Sequence, residues 1–267
     1  MSFHGQHVLV TASAGGMGSE ICKLLLSLGA KVSMHYNKNC ASLQFLLNEY
    51  PNTTYALSVN AENEEEIVNG MEKSYEKFGV INIIILPHIV YVTDDIPIWE
   101  MSLEQWNKTL NVNLTSYFLY TREWCKQLIK HKPTLSTDKD INSFNANIIY
   151  IGSAGAKFGE ENHIDYAACK GAIHTAFLHT VKNEIVKIFP NARANVISPG
   201  LTLTPLTKQI IDKNLHSNFI RTQTLHKVAT PNDIAQACAF MASNVTANHI
   251  TGHILDVDGG QNDVIKW

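Results

Sequence analysis

The residues best suited to chemistry stand in the stretch 164–172, IDYAACKGA. Tyr166 and Lys170 are four apart, so on a helix they project from one face, one turn from each other. A lysine ammonium beside a phenol favours the phenolate and lowers its pKa from about 10. Such a phenol can give and take a proton near neutral pH. An ordinary helix face also carries tyrosine and lysine at this spacing, so the pair needs partners. Ser153, thirteen residues upstream, follows the apolar run NIIYIG and would sit at a strand's carboxyl end. Asn113 lies in WNKTLNVNL, within a long helical pattern. Its neighbours Leu110, Val112, Leu114 and Tyr117 point to a buried segment, where an amide must find hydrogen-bond partners.

A second feature is TASAGGMG, residues 11–18, between the apolar run Val8-Leu9-Val10 and a helical pattern. A glycine-rich turn there suits a phosphate cradle, because free N–H groups at a helix start point at an anion. The glycines at 15, 16 and 18 depart from the G-x-G-x-x-G spacing of the usual dinucleotide turn.

The elements that must position these residues alternate along the whole chain. Short β-branched runs fall at 8–11, 31–36, 54–59, 81–86, 147–152, 194–198 and 254–257, with helical patterns between them. Ile21, Leu24, Leu25 and Leu28 keep helical spacing, and Gly29 closes that helix. Near-continuous apolar strands alternating with helices predict an α/β fold: a doubly wound Rossmann fold with about seven parallel strands and helices on both faces. No repeat or linker divides the 267 residues, so one domain is expected, with a cofactor half over about 1–150 and a catalytic half over 151–267. Residues 131–147 are polar and read as an extended surface loop. Residues 201–227 are loosely patterned past the sixth strand, where a lid over a substrate is expected.

Composition bounds the function. A formal net charge of -3 with 17 % charged residues gives no reason to expect nucleic acid or an anionic membrane as partner. No apolar run reaches membrane-spanning length, and the first residues lack a signal-peptide pattern. Cys22, Cys40, Cys125, Cys169 and Cys238 match no zinc spacing and read as reduced cytoplasmic thiols. The twelve histidines form no metal motif, so no metal site is assigned.

Together these motifs resemble the short-chain dehydrogenase/reductase family in its single-domain form, from Val8 to Gly260. The family's T-G-x-x-x-G-x-G turn matches TASAGGMG, with Gly16 and Gly18 as its second and third glycines and Ala12 in place of the first. The alanine would fit at negative φ and disturb the turn at positive φ. The resemblance makes Asn113, Ser153, Tyr166 and Lys170 the catalytic set. ISPG at 197–200 and Thr204 resemble the segment beside the nicotinamide, and ITGHILDVDGG resembles the last strand and turn. Cofactor contacts implied in this way are Ala12, Ser13, Gly16, Met17, Gly18, Tyr36, Asn37, Lys38, Asn60, Ala61, Pro87, His88, Ile89, Tyr166, Lys170, Pro199, Gly200, Thr202 and Thr204.

Two departures stand out. Leu86-Pro87-His88-Ile89 replaces the family's N-N-A-G, putting a branched side chain where glycine meets the cofactor. His88 could touch a ligand or serve the core. Asn60 stands where many relatives have aspartate near the adenine. An NAD-preferring fold places an acid about 20 residues past the glycines, yet none lies between Glu20 and Glu49. The second strand ends His35-Tyr36-Asn37-Lys38, resembling NADP(H)-using relatives, with Lys38 facing the 2′-phosphate as a point charge. The resemblance therefore implies an NADP(H)-dependent oxidoreductase acting on a ketone, aldehyde or alcohol, usually a homotetramer or homodimer. Another reaction on the same fold (isomerase, cyclase or dehydratase) or a nucleotide sensor stays open. Enoyl reductases of this fold space tyrosine and lysine further apart. Substrate contacts expected from position are Ala154, Gly155, Phe158 and His163, with Tyr91 and the 201–226 segment beside them.

Overall fold

The computed structural model describes residues 1–210 and 221–262. Seven parallel strands form one sheet in the order β3-β2-β1-β4-β5-β6-β7. They are β1 (His7–Val10), β2 (Lys31–Tyr36), β3 (Thr54–Ser58), β4 (Ile83–Leu86), β5 (Asn147–Ile151), β6 (Arg193–Pro199) and β7 (Ile254–Val257). The order reverses between β1 and β4, and in such sheets the crevice outside the strand ends at that reversal is the ligand site. The central strands bury both faces, as their runs of isoleucine, valine and leucine require.

One face is covered by α1 (Gly16–Ser27) and α2 (Gln44–Glu49). The other carries α3 (Glu64–Phe78) and a long helix broken by a π turn: α4 (Leu103–Leu110), the turn Asn111–Thr115, and α5 (Ser116–His131). After α5 comes α6 (Asp138–Ser143), and β5 follows. Then come α7 (Gly155–Phe158), α8 (Ile164–Ala172), a second π turn at Ile173–Phe177, and α9 (Leu178–Ile185). After β6 lie α10 (Pro205–Ile210) and α11 (Pro231–Ala242), the latter packed on α1. Gly29, at φ 91°, turns the chain out of α1 as expected.

The seven strands agree with the sequence reading to within about two residues at each end. The segment 131–147 does not: it holds a 3-10 turn at Lys132–Thr134 and the helix α6. Thr137 caps α6 by accepting from the Asp140 N–H, while Ile141 and Phe144 pack on the core. Those two apolar residues anchor a segment whose polar composition suggested a plain loop. Of the expected lid, residues 211–220 lie outside the described residues. Pro205 at the first turn of α10, and Thr204 accepting from the Thr207 N–H before it, give that helix an ordinary start.

Candidate active site

The glycine turn comes first. Ala12 adopts φ 43°, so the position does need the left-handed region that glycine takes freely. The Ala12 carbonyl accepts from the Gly15 N–H at 2.8 Å. A Cβ on Gly18 would overlap that carbonyl, and one on Gly16 would press on Thr204 and Pro205 at 3.0 Å. Gly18 is therefore fixed by close backbone approach, and Gly16 by the side chains packed over it. Gly15 caps α1 without a side-chain hydrogen bond, which leaves the helix's first N–H groups open to an anion. Ser13 sits beneath the turn, its hydroxyl donating to the Val10 carbonyl at 2.6 Å. At the end of β2, Tyr36 is half-buried while Asn37 and Lys38 are exposed. Asn60 and Ala61 follow β3, with the Asn60 N–H held by Glu66 at 2.8 Å.

A cleft opens beyond β4, β5 and β6. Its walls bring together Met17 of the cradle, Pro87 and Ile89, Ser153, Ala154 and Gly155, Tyr166, and Pro199, Gly200, Thr202 and Thr204. Further lining comes from Tyr91, Ile151, Gly152, Glu160, Leu201, Leu206, Thr207 and Gln261. Phe158 and His163, expected in this pocket, do not line it. His163 instead stacks on Tyr91 with ring centroids 4.7 Å apart and supports the wall from behind.

The Ser153 Oγ accepts from the Gly155 N–H at 3.1 Å, which leaves the hydroxyl proton available to another acceptor. The Ser153 N–H points at His174 Nε2, 3.3 Å away. His174 belongs to the second π turn, and a Cβ on Gly152 would overlap its ring. The imidazole is buried beside Lys170, and both effects push its pKa down to about 4, so it is a neutral acceptor at physiological pH. Tyr166 stands in the cleft wall next to Ser153. Burial and then the charge of Glu160 raise its pKa, while the Ser153 hydrogen bond lowers it.

Lys170 is wholly buried. Its ammonium donates to the Ile151 carbonyl at 2.7 Å and to the Tyr117 hydroxyl at 3.3 Å, and lies 5.7 Å from the Tyr166 ring centroid. Loss of hydration lowers its pKa to about 7. The sequence expectation that lysine depresses the tyrosine pKa thus meets a different balance: the phenol's own burial and Glu160 push upward.

Tyr117 is a residue the sequence reading did not single out for the site. Its hydroxyl donates to the Leu86 carbonyl at 2.6 Å and accepts from Lys170, which ties β4 to the lysine. Asn113 lies in the first π turn and uses its whole amide on one neighbour. The Asn113 Oδ1 accepts from the Val90 N–H and the Nδ2 donates to the Val90 carbonyl, both at 2.8 Å. It thereby fixes the segment carrying Ile89 and Tyr91.

His88 belongs to this scaffold. Ser116 donates its proton to the Val112 carbonyl, so it accepts from His88 Nε2, and Thr11 in turn donates to His88 Nδ1 at 2.6 Å. Both ring nitrogens are occupied, the ring is buried, and burial with Lys170 nearby lowers its pKa to about 3. His88 is thus held inside the molecule, while Pro87 and Ile89 on either side face the cleft. Gly200 packs on the turn after β7, where a Cβ would come within 2.8 Å of Asp258 Cα. Among the described residues, no group of His, Cys, Asp and Glu is arranged to hold a metal ion.

An open parallel sheet with a glycine turn at its reversal point, and Ser153 and Tyr166 in the cleft beside it, make up a doubly wound α/β architecture. The family model described as "Enoyl-(Acyl carrier protein) reductase" matches residues 11–262, and the chain belongs to the short-chain dehydrogenase/reductase family. It is 28 % identical over 259 residues to 3-oxoacyl-(acyl-carrier-protein) reductase FabG of Chlamydia pneumoniae, covering 96 % of each chain. It is 27 % identical over 262 residues to the enzyme of that name from Escherichia coli K12, covering 97 % of this chain and 98 % of the other. Among solved structures it resembles a short-chain dehydrogenase/reductase from Brucella melitensis described as a glucose/ribitol dehydrogenase. There the TM-score is 0.83 at 23 % identity, over 97 % of this chain and 98 % of that one. A short-chain type dehydrogenase/reductase from Mycobacterium ulcerans gives a TM-score of 0.85 at 20 % identity, over 98 % and 91 %.

Proposed function

We propose that the protein is an NADP(H)-dependent reductase that interconverts a small ketone or aldehyde with its alcohol, with Tyr166 as general acid and base. The observation that supports this most is the meeting of the Ser153 and Tyr166 hydroxyls in a cleft whose wall also includes Met17 of the glycine cradle. The cradle residues fit a dinucleotide: open N–H groups at the start of α1, glycines held by close approach, and no acid at the end of β2. Gly16, Met17 and Gly18 would hold its diphosphate, and Lys38 the 2′-phosphate. When bound, NADPH supplies a hydride to the carbonyl carbon.

This chain's own residues do the rest. Ser153 and Tyr166 orient the carbonyl by donating to its oxygen, and Tyr166 gives up its proton as the alkoxide develops. Lys170, held by Ile151 and Tyr117, places its amine behind the phenol, where its protonated form adds positive charge. Pro87, Ile89, Leu201 and Leu206 exclude water around the reacting carbon. Activity on a ketone follows the relatives' printed names, which are those of 3-oxoacyl reductases. The homodimer or homotetramer implied by the resemblance would use the helices carrying Asn113 and Tyr166, where Phe118 and Ile129 are exposed. A cytoplasmic setting suits the five free thiols.

The test is NADPH oxidation over a panel of ketones and aldehydes, with Tyr166→Phe beside the native chain. Turnover lost in Tyr166→Phe with nucleotide binding kept is the expected result. Tight nucleotide binding with no turnover of any carbonyl would instead favour the sensor reading.

A further inference from the structure

The cleft contains one feature that the reductase reading does not use. Glu160 lines its wall, and the Glu160 Oε1 accepts from the Tyr91 hydroxyl at 2.6 Å. Tyr91 is held in turn by the stack on His163 and by an edge contact with Tyr166, ring centroids 5.0 Å apart. No lysine or arginine lines the cleft among the described residues, and no ion pair with Glu160 is formed. A carboxylate out of water is costly unless its acceptor sites are filled. Tyr91 fills one. The Glu160 Oε2 packs against Gly155, another residue of the cleft lining: a Cβ built there would be 2.7 Å from it and 3.4 Å from Ser153 Oγ. The acceptor oxygen and the carbonyl-binding hydroxyl therefore both close on Gly155, near enough to each other for one small substrate in the cleft to reach both.

We propose that Glu160, held by Tyr91, selects the substrate, and that the substrate is a carbonyl compound bearing a hydroxyl or ammonium donor on the carbon next to the carbonyl or one further. The inference rests on the reductase reading and names the substrate class for that same site. A donor at that distance can bond Oε2 while the carbonyl oxygen bonds Ser153 and Tyr166. A carboxylate on the substrate would face Glu160 with no lysine or arginine in the cleft lining to offset it. Burial first, and then Asp165 and Asp95, push the Glu160 pKa up, while the Tyr91 hydrogen bond and His163 pull it down. With Oε1 already accepting from Tyr91, Oε2 is left to accept from a donor, and a substrate anion brought beside Oε2 is disfavoured.

The test uses ketones of matched skeleton that differ at one position: methyl, hydroxyl, amino or carboxylate. The value of kcat/KM is measured with NADPH for the native chain, Glu160→Gln and Glu160→Ala, and folding is checked by thermal melts. The native chain should prefer the hydroxy or amino ketone to the methyl isostere by about tenfold or more, and should use the carboxylate worst. Glu160→Ala should erase the preference. Glu160→Gln should retain it for hydroxyl, since an amide oxygen still accepts, lose it for ammonium, and improve the carboxylate. A hydroxyl-only preference and an amino-only preference would each support the proposal and identify the donor. Equal use of methyl and donor-bearing ketones by the native chain, or a preference unchanged in Glu160→Ala, would overturn the inference and leave the reductase reading standing. No reduction of any member of the series or of the wider carbonyl panel would overturn both.

Discussion

Ala12 occupies the tightest point of the glycine cradle, and its backbone predicts a measurable strain. At φ 43° a residue with a Cβ pays roughly 1–2 kcal/mol against the neighbouring carbonyl. The turn cannot rotate away to relieve it. Its carbonyl is bonded to the Gly15 N–H and lies where Gly18 approaches most closely. Ala12→Gly removes the strain but adds freedom to the unfolded chain, which offsets about 0.4–1 kcal/mol. The net stabilisation is about 0.5–1 kcal/mol, a rise in Tm of roughly 1–4 °C for a chain of this size. Ala12→Val, branched at Cβ, should lower Tm instead. Differential scanning calorimetry of the three chains, without nucleotide and under one buffer, reads this directly. A Tm for Ala12→Gly at or below that of the native chain would refute the reasoning, because the alanine would then carry no strain.

Three other outcomes follow from the buried network. Tyr117→Phe removes one of the two acceptors of the Lys170 ammonium, so the lysine should titrate still lower than about 7; lysine NMR across pH checks this, and an unchanged titration contradicts it. Gly152→Ala should displace the His174 ring and cost about 1–3 kcal/mol, and His174→Ala added to it should recover part of that loss in urea melts. Acid should unfold the protein early. His7, His35, His88 and His174 are buried with pKa values lowered to about 4, 3, 3 and 4, against 6.5 when exposed. Between pH 6.5 and about 4 the unfolded chain binds these protons and the folded chain does not, so stability falls as pH falls. Each histidine contributes about 1.4 kcal/mol per pH unit once the unfolded form is protonated, roughly 5 kcal/mol per unit for the four near pH 5. Urea midpoints at pH 7.5, 6.5 and 5.5 should drop steeply, and a flat series would contradict the burial of these rings as neutral groups.

The sheet was legible because its strands are buried on both faces and so appear as continuous β-branched runs, as in Ile83 to Leu86 and Asn147 to Ile151. Ser153 and Tyr166 were legible because local spacing within one β–α unit places them, and the structure brings both to the cleft. Gly16 and Gly18 could be read for the same reason. What sequence could not give was contact between distant segments. Glu160 meets Tyr91 across 69 positions and Lys170 meets Tyr117 across 53. The two π turns have no composition signal, yet one carries Asn113 and the other His174. The helix at Asp138–Ser143 did have a signal, Thr137 three residues before Asp140, outweighed by the polar residues around it.

A cleft that serves an NADP(H)-dependent reductase must first of all bind the reduced nucleotide. Purified protein would be titrated with NADPH and with NADH, following nucleotide fluorescence, alongside Lys38→Glu. NADPH should bind tightly and NADH much more weakly, and Lys38→Glu should lose that preference. Failure of both nucleotides to bind would mean that Ala12 and the segment from Leu86 to Ile89 have closed the site, and the reductase reading would fall with it.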